Sequence, residues 1–145
     1  MSERTSVLFL CTGNSCRSQM AEGFCRALRG SEIDCASAGI ETHGLNPNAV
    51  KVMAEVGIDI SSHQSKTVDD LGGRKFDFVI TVCDHASETC PVFPGETRVL
   101  HRSFQDPPRL AATAASEEEA LGHYRRVRDQ IGEFVRSLPN SLRGQ

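Results

Sequence analysis

Short apolar runs alternate with segments of helical periodicity along the chain. Apolar and β-branched runs predict strands at residues 6–10, 33–37, 76–82 and 97–100. Their continuous apolar character is typical of strands buried on both faces of a parallel sheet. Because helical segments lie between the strands, we expect an α/β fold: a single-domain three-layer sandwich with a four-stranded parallel sheet flanked by helices.

The helical segments carry clear start and stop signals. The first ends at Gly30, the second runs from Asn46-Pro47 to Gly57, a short one covers residues 67–71, and the last begins at a capping box of Ser116 and Glu119. Their apolar residues recur at helical spacing and are expected to be buried: Met20, Phe24, Ala27 and Leu28; Ala49, Val52, Met53 and Val56; Leu121, Tyr124, Val127, Ile131, Phe134 and Leu138.

Composition and charge narrow the class of protein. The 145 residues are predicted to form one domain, 1–145, with a formal net charge of −3. We expect the protein to bind neither nucleic acid nor a membrane surface, because the sequence has no basic block. The cluster of Arg125, Arg126 and Arg128 is expected to be a solvated helix face. The apolar run at residues 7–10 is too short for a membrane span or a signal peptide, so a cytoplasmic protein is predicted. Nothing in the sequence suggests an obligate dimer, so we expect a monomer. Six cysteines are many for a reducing compartment, and they point to catalysis, redox cycling or metal binding.

The loop after the first strand carries the most specific chemistry. It reads Cys-Thr-Gly-Asn-Ser-Cys-Arg-Ser at residues 11–18, a cysteine followed after five residues by arginine and serine. Backbone N–H groups of a loop entering a helix converge on an anion, so the expected oxyanion ligands are Thr12, Gly13, Asn14, Ser15, Cys16 and Arg17. Gly13 and Asn14 are expected to adopt positive φ angles. The same field is expected to lower the pKa of Cys11 and hold it as a thiolate, with Ser18 as a hydrogen-bond donor to that sulfur.

Other interpretations of the cysteines remain open at this point. Cys11 could be a buried residue that ends a strand, with an arginine nearby by chance. A zinc site that uses Cys11 and Cys16, and Cys83 with His85 and Cys90, is conceivable. However, the spacing is poor for structural zinc, and a bound metal would remove the anion site. We therefore predict no metal and no cofactor. Cys25 and Cys35 are expected to be small buried residues.

Several motifs together resemble one family, the thioredoxin-coupled arsenate reductases, which share the fold of the low-molecular-weight protein tyrosine phosphatases. The resemblance covers residues 7–138, and the matching segments are 11–23, 37–44 with Asn46-Pro47, 59–63, 81–84 with Cys90-Pro91, and 105–107. It implies that arsenate binds in the loop, where phosphate or sulfate would also fit, and is reduced to arsenite. It also implies thioredoxin as the partner that supplies electrons, while glutaredoxin or a small thiol such as mycothiol, used by relatives of this fold, stays an alternative.

The resemblance assigns a second cysteine pair to the reaction. Cys83 ends the strand beside the loop, and Cys90 follows six intervening residues later. In the family, Cys11 attacks arsenic, Cys83 attacks the Cys11 sulfur and releases arsenite, and Cys90 carries the oxidation outward as a disulfide with Cys83. The alternative is that Cys83 is a core residue and Cys90 has no role.

Asp106 completes the predicted catalytic set. A carboxylic acid over the anion site could protonate the departing oxygen, although Asp106-Pro107 is also ordinary turn chemistry. Pro108 stands where related phosphatases usually carry an aromatic residue, which weakens the case for a tyrosyl-phosphate pocket. A tyrosine phosphatase and an oxyanion-binding regulatory module without turnover are the competing functions.

Some members of the family hold a potassium ion beside the catalytic loop. Asn14, Glu22 and Ser37 match the ligand pattern, but Lys66 replaces an acidic residue of it. An ammonium group would repel the cation. We expect no potassium site here, with Lys66 reaching Glu22 to support Asn14 and the loop. A solvent-exposed Lys66 is the alternative.

Overall fold

A four-stranded parallel sheet forms the centre of the molecule, as predicted. The computed structural model describes residues 4–83 and 97–143. The strands are β1 (Thr5–Cys11), β2 (Ile33–Gly39), β3 (Phe78–Thr81) and β4 (Arg98–His101). Their order across the sheet is β2-β1-β3-β4, with every pair parallel. The most apolar run thus lies in the middle, where residues 7–10 of β1 are completely buried.

Six helices are seen in the described residues. They are α1 (Arg17–Arg29), α2 (Pro47–Glu55), a 3₁₀ helix (Asp69–Leu71), α3 (Pro107–Ala111), α4 (Glu117–Arg136) and α5 (Asn140–Arg143). The predicted caps are present, since Asn46 Oδ1 accepts from two N–H groups of α2 and Ser116 Oγ from Glu119 N. The sequence did not predict α3 and α5, which are too short to show a periodic pattern. No helix of the described residues is long and apolar enough to cross a bilayer.

Four of the predicted surface and core assignments are wrong. Ala27, Leu28 and Val56 are exposed, the last two by 39% and 44%, because each lies at the end of its helix, past the buried residues. Arg128 is buried instead of solvated. Its guanidinium donates to Val52 O at 3.0 Å and to Glu55 at 2.8 Å, and thereby joins α4 to α2.

The carboxyl ends of β1, β2 and β3 meet at one edge of the sheet. Cys11 is the last residue of β1 and pairs with Gly39 of β2. Beyond Gly39, the N–H groups of Ile40, Glu41, His43 and Asn46 donate at 2.9–3.2 Å to the carbonyl oxygens of Cys11, Thr12, Gly13 and Ser15. On the other side, Val82 N donates to Leu10 O at 2.9 Å, which brings Cys83 next to Cys11. The loop after β1 is therefore held from both sides.

Candidate active site

The loop from Cys11 to Arg17 joins β1 to the N-terminus of α1. Asn14 has a φ of 46°, as predicted for this loop. Gly13 does not have a positive φ, so that part of the prediction is wrong. Glycine is needed there for space, because a Cβ at this position would lie 2.2 Å from Nδ1 of His43. The imidazole of His43 thus lies directly against the loop.

Buried hydrogen bonds hold Asn14 in its left-handed conformation. Its side-chain amide donates to Ser18 Oγ at 2.9 Å and to Ser37 Oγ at 3.0 Å. Its Oδ1 accepts from Gln19 Nε2 at 3.0 Å and from the backbone N–H of Lys66 at 2.9 Å. Every polar atom of the Asn14 side chain is therefore paired, so the loop geometry is fixed before any ligand enters.

Glu22 lies next to this network with its side chain 4% exposed. It accepts from Ser37 Oγ at 2.6 Å and from Arg26 Nε at 2.8 Å. Lys66 Nζ lies 3.8 Å from Glu22 Oε1, and His63 Nε2 lies 3.8 Å from Glu22 Oε2. The structure thus brings Lys66 to Glu22, and it adds Arg26 and His63 as further basic partners of this buried carboxylate.

The loop opens into a cavity that suits an anion. The cavity has a volume of about 390 Å³, and its lining includes Cys11, Cys16, Arg17, His43 and Asp106. Within the described part of the chain, the backbone N–H groups of residues 13–17 make no hydrogen bond to a protein acceptor. Such unpaired donors at a helix N-terminus favour an anionic ligand.

Arg17 makes one hydrogen bond to the protein and keeps a buried N–H group without an acceptor in residues 4–83 and 97–143. Its Nη1 donates to Phe104 O at 2.8 Å, and its Nη2 lies 3.6 Å from Asp106 Oδ1. Its Nε is buried and has no partner among the described residues. A buried N–H without an acceptor is costly, so a ligand oxygen at this position would stabilise the site. A tetrahedral oxyanion offers such oxygens.

Cys11 and Cys83 are both reduced and buried next to one another at the carboxyl edge of the sheet. Cys83 Sγ lies 3.2 Å from Thr12 Oγ1. The neighbouring Cys83 thiol and burial raise the pKa of Cys11 well above its usual value, against the opposing effects of Arg17 and the Thr12 N–H. The prediction that the loop lowers the pKa of Cys11 and holds it as a thiolate is therefore wrong for the ligand-free site.

Asp106 lines this cavity and a second one. The second cavity, of about 580 Å³, is also lined by Cys83 and Arg17 among others. Asp106 was predicted on a loop, and it lies at the start of α3, where its carboxylate is 39% exposed. Cys90 lies outside the described residues.

The remaining cysteines are buried. Cys16 precedes α1, and burial, followed by the Asp106 charge, raises its pKa. Cys25 and Cys35 form a second thiol pair between α1 and β2, as buried as the sequence predicted. The hydrogen bond with Cys35 and burial raise the pKa of Cys25, so neither Cys16 nor Cys25 is activated as a nucleophile.

Comparison with known proteins identifies the family. The model of the low molecular weight phosphotyrosine protein phosphatases matches residues 6–145. The chain belongs to this family. Arsenate reductases of Halalkalibacterium halodurans and Bacillus subtilis are each 50% identical to it, the first over 132 residues (91% of this chain and 93% of the relative) and the second over 136 residues (94% and 96%). A solved arsenate reductase in a phosphate-binding state superimposes with a TM-score of 0.73 at 34% identity, covering 92% of this chain and 95% of that one.

Two residues of this phosphatase-family site were missed from the sequence. Gln19 Nε2 donates a hydrogen bond to Asn14 Oδ1, and Gln19 Oε1 accepts one from His63 Nδ1 at 3.0 Å. Arg26 pairs with Glu22 from one helical turn further along α1. The available signal was a polar residue on the buried face of an amphipathic helix, since Gln19 is completely buried beside the apolar Met20.

Proposed function

We propose that this protein reduces arsenate to arsenite at Cys11, with electrons that reach the site through Cys83. The observation that carries the proposal is a second buried thiol beside the anion loop: Cys83 Sγ lies 3.2 Å from Oγ1 of Thr12, the residue that follows Cys11. A hydrolase needs one nucleophile at this position. A second thiol beside the first is what a reaction that ends in a disulfide requires.

The first step is attack of the Cys11 sulfur on arsenic. Arsenate binds with its oxygens on the loop N–H groups and Arg17, whose buried Nε gains an acceptor. As the sulfur–arsenic bond forms, one arsenic–oxygen bond breaks and a hydroxyl leaves arsenic. The carboxylate of Asp106, which lines the cavity, takes up the thiol proton and passes it to that hydroxyl, which departs as water. Arsenic is still pentavalent in this adduct.

The second step transfers two electrons to arsenic. Cys83 attacks the Cys11 sulfur, and the electron pair of the sulfur–arsenic bond moves to arsenic, which leaves as trivalent arsenite. A Cys11–Cys83 disulfide remains. The position of Cys83 next to the Cys11 loop supports this step. The disulfide joins β1 to the end of β3.

The last step returns the enzyme to its reduced form. We propose that Cys90 attacks Cys83, which frees the Cys11 thiol and forms a Cys83–Cys90 disulfide. A dithiol protein of the thioredoxin type then reduces this disulfide and becomes oxidised itself. One arsenate thus consumes one dithiol. We further propose that the enzyme acts as a cytoplasmic monomer of one domain, which sedimentation analysis and cell fractionation would test.

The test is arsenate-dependent oxidation of NADPH in the presence of thioredoxin and thioredoxin reductase. We expect turnover in the wild type, none in Cys11→Ser, and loss of multiple turnover in Cys83→Ser and Cys90→Ser. Cys90→Ser should accumulate a Cys11–Cys83 disulfide after one arsenate, detectable by peptide mass spectrometry. Cys25→Ala is the matched control, because this cysteine is reduced and buried outside the cavity and should leave turnover intact. Wild-type rates in Cys90→Ser would show that an external thiol attacks Cys83 directly.

Phosphomonoester hydrolysis is a second candidate activity. It is supported by the family and by Arg17 and Asp106, which line the same cavity. Water would attack the Cys11 phosphoryl adduct, so neither Cys83 nor Cys90 is needed. We expect weak hydrolysis of p-nitrophenyl phosphate that survives Cys83→Ser and disappears in Cys11→Ser. Arsenate binding without arsenite release would instead indicate a regulatory oxyanion-binding protein.

A further inference from the structure

His43 lies on the wall of the anion cavity, and the reaction above gives it no role. Its ring lies against Gly13, whose missing Cβ leaves the space that Nδ1 and Cγ of the ring occupy. Its backbone N–H donates to Gly13 O at 2.9 Å. The imidazole is therefore fixed on the loop that is to bind the oxyanion, on the same cavity as Cys11 and Arg17.

Glu41 fixes which ring nitrogen faces the loop. His43 Nε2 lies 2.5 Å from Glu41 Oε2, at an exposed position where the carboxylate is 62% accessible. A carboxylate accepts hydrogen bonds, so Nε2 carries a proton in both charge states of the ring. Nδ1 is then the nitrogen that gains or loses a proton. In the imidazolium form, Nδ1–H becomes a donor on the loop side of the ring.

The charged side chains around the cavity nearly cancel one another, so an Nδ1–H donor on a charged ring would add to the binding of an anion. Arg17 contributes one positive charge and Asp106, 3.6 Å away, one negative charge. Cys11 and Cys16, the other titratable groups on this cavity, are thiols with raised pKa values and add no charge. Glu41 lies on the far, solvent-exposed side of the ring. A dianion in the cavity therefore meets a nearly neutral set of side chains, and a protonated His43 would supply the missing positive charge.

We propose that His43 is an oxyanion-binding residue, which in its imidazolium form donates from Nδ1 to a tetrahedral dianion in the Cys11 loop. Only the imidazolium form carries a proton on Nδ1, so protonation of the half-exposed ring and binding of the dianion favour one another. The inference rests on the proposed oxyanion site and adds a ligand to it. Asp106 is a second acid–base group on the same cavity, so the test must separate its contribution from that of His43.

Sulfate binding to the Cys11→Ser protein tests this without interference from catalysis. Sulfate stays a dianion over the whole range, and serine removes the titration of the Cys11 thiol. Calorimetric dissociation constants are compared for the Cys11→Ser parent and for the same protein with His43→Gln. We expect His43→Gln to weaken sulfate binding about tenfold near pH 5.5, the effect of one exposed charge-assisted hydrogen bond, and less than about twofold near pH 8.5. Asp106 is present in both proteins, so its contribution cancels.

His123→Gln is the matched control, because this histidine lies on α4 next to Arg126 and does not line the cavity. It should leave sulfate binding unchanged at both pH values. Equal sulfate affinity in the parent and in His43→Gln near pH 5.5 would overturn the inference and leave the oxyanion site intact. If the parent itself binds no sulfate, the oxyanion site and the inference both fail.

A reciprocal measurement covers the case in which His43→Gln disturbs the loop. Saturating sulfate should move the NMR titration midpoint of the His43 ring upwards by about one pH unit in the Cys11→Ser protein, because ligand and proton stabilise each other. The His123 ring should not move. An unchanged His43 midpoint in the presence of bound sulfate contradicts the proposal.

Discussion

Replacement of Gly13 by alanine tests why glycine occupies the loop. A methyl group there would lie 2.2 Å from Nδ1, 2.5 Å from Cγ and 2.9 Å from Cβ of His43. Gly13 has no positive φ, so alanine adds no backbone strain. The whole effect of Gly13→Ala should therefore come from the contact with His43.

The size of the effect follows from what must move. The ring has to retreat by about 1 Å to restore ordinary contact distances. Tilting the ring outwards breaks its hydrogen bond to Glu41, which contributes about 1 kcal/mol at most for an exposed pair. Tilting alone is insufficient, because Cβ of His43 is also too close and its backbone is tied to Gly13 O. With overpacking of about 1–3 kcal/mol in general, we expect Gly13→Ala to lower the free energy of unfolding by about 2 kcal/mol.

The assay is urea unfolding of Gly13→Ala, His43→Ala and the double variant. Because His43→Ala removes Nδ1 and Cγ, the double variant should recover about 1 kcal/mol relative to the sum of the single changes. Gly39→Ala is the control: its Cβ would meet the backbone atoms Glu41 O at 2.3 Å and Asn14 N at 2.8 Å, so His43→Ala should not rescue it. A stable Gly13→Ala, or one that His43→Ala leaves equally unstable, would refute the steric explanation.

Three further changes test other parts of the site. Arg17→Lys should lower kcat/KM for arsenate by about 100-fold or more, since an ammonium cannot contact Phe104 O and also supply the buried Nε–H to the anion. Lys66→Ala should raise KM for arsenate and lower the melting temperature, because it removes a cation beside the buried carboxylate of Glu22. The wild type should have the same melting temperature in potassium and sodium chloride at equal ionic strength. A melting temperature that rises only in potassium would contradict the expected absence of a potassium site. Burial lowers the pKa of His63, so below about pH 6.5 the unfolded chain takes up a proton that the folded protein resists, and folded stability falls. Urea unfolding should show a smaller loss between about pH 7 and pH 5 in His63→Gln than in the wild type.

The sheet and the long helices could be predicted because their signals are local and agree with one another. Residues 7–10 are continuously apolar, and they form the completely buried part of the central strand. Asn46 and Ser116 are N-caps in the structure because each side chain satisfies N–H groups two or three residues ahead. The same reasoning placed the loop at Cys11 on the carboxyl edge of the sheet, where parallel strands position their ligand sites.

What could not be predicted depends on contacts between distant residues. Glycine at residue 13 is explained by a histidine 30 positions later, and that contact has no periodic signature. Arg128 looks like its neighbours in sequence, yet it is the arginine that reaches the carbonyl of Val52 across the α2–α4 interface. Gln19 is one more polar residue in a helix until the fold buries it against Asn14. For Arg128 and Gln19, burial turned an ordinary polar residue into a structural one.

The charge of Cys11 shows the same limit at the centre of the site. The sequence predicts a thiolate at Cys11 because only the groups that stabilise a negative charge, Arg17 and the loop N–H groups, can be recognised from the motif. The fold adds the Cys83 thiol and burial, and together they raise the pKa of Cys11. A neutral thiol has a consequence for binding, because a dianion then enters a cavity with no sulfur anion to repel it. A thiol at Cys11 brings a proton to the site, and the departing arsenate oxygen needs a proton in the step in which the sulfur attacks. A raised pKa in the empty site is thus compatible with catalysis, and it fits a site in which the oxyanion arrives before the nucleophile is ionised.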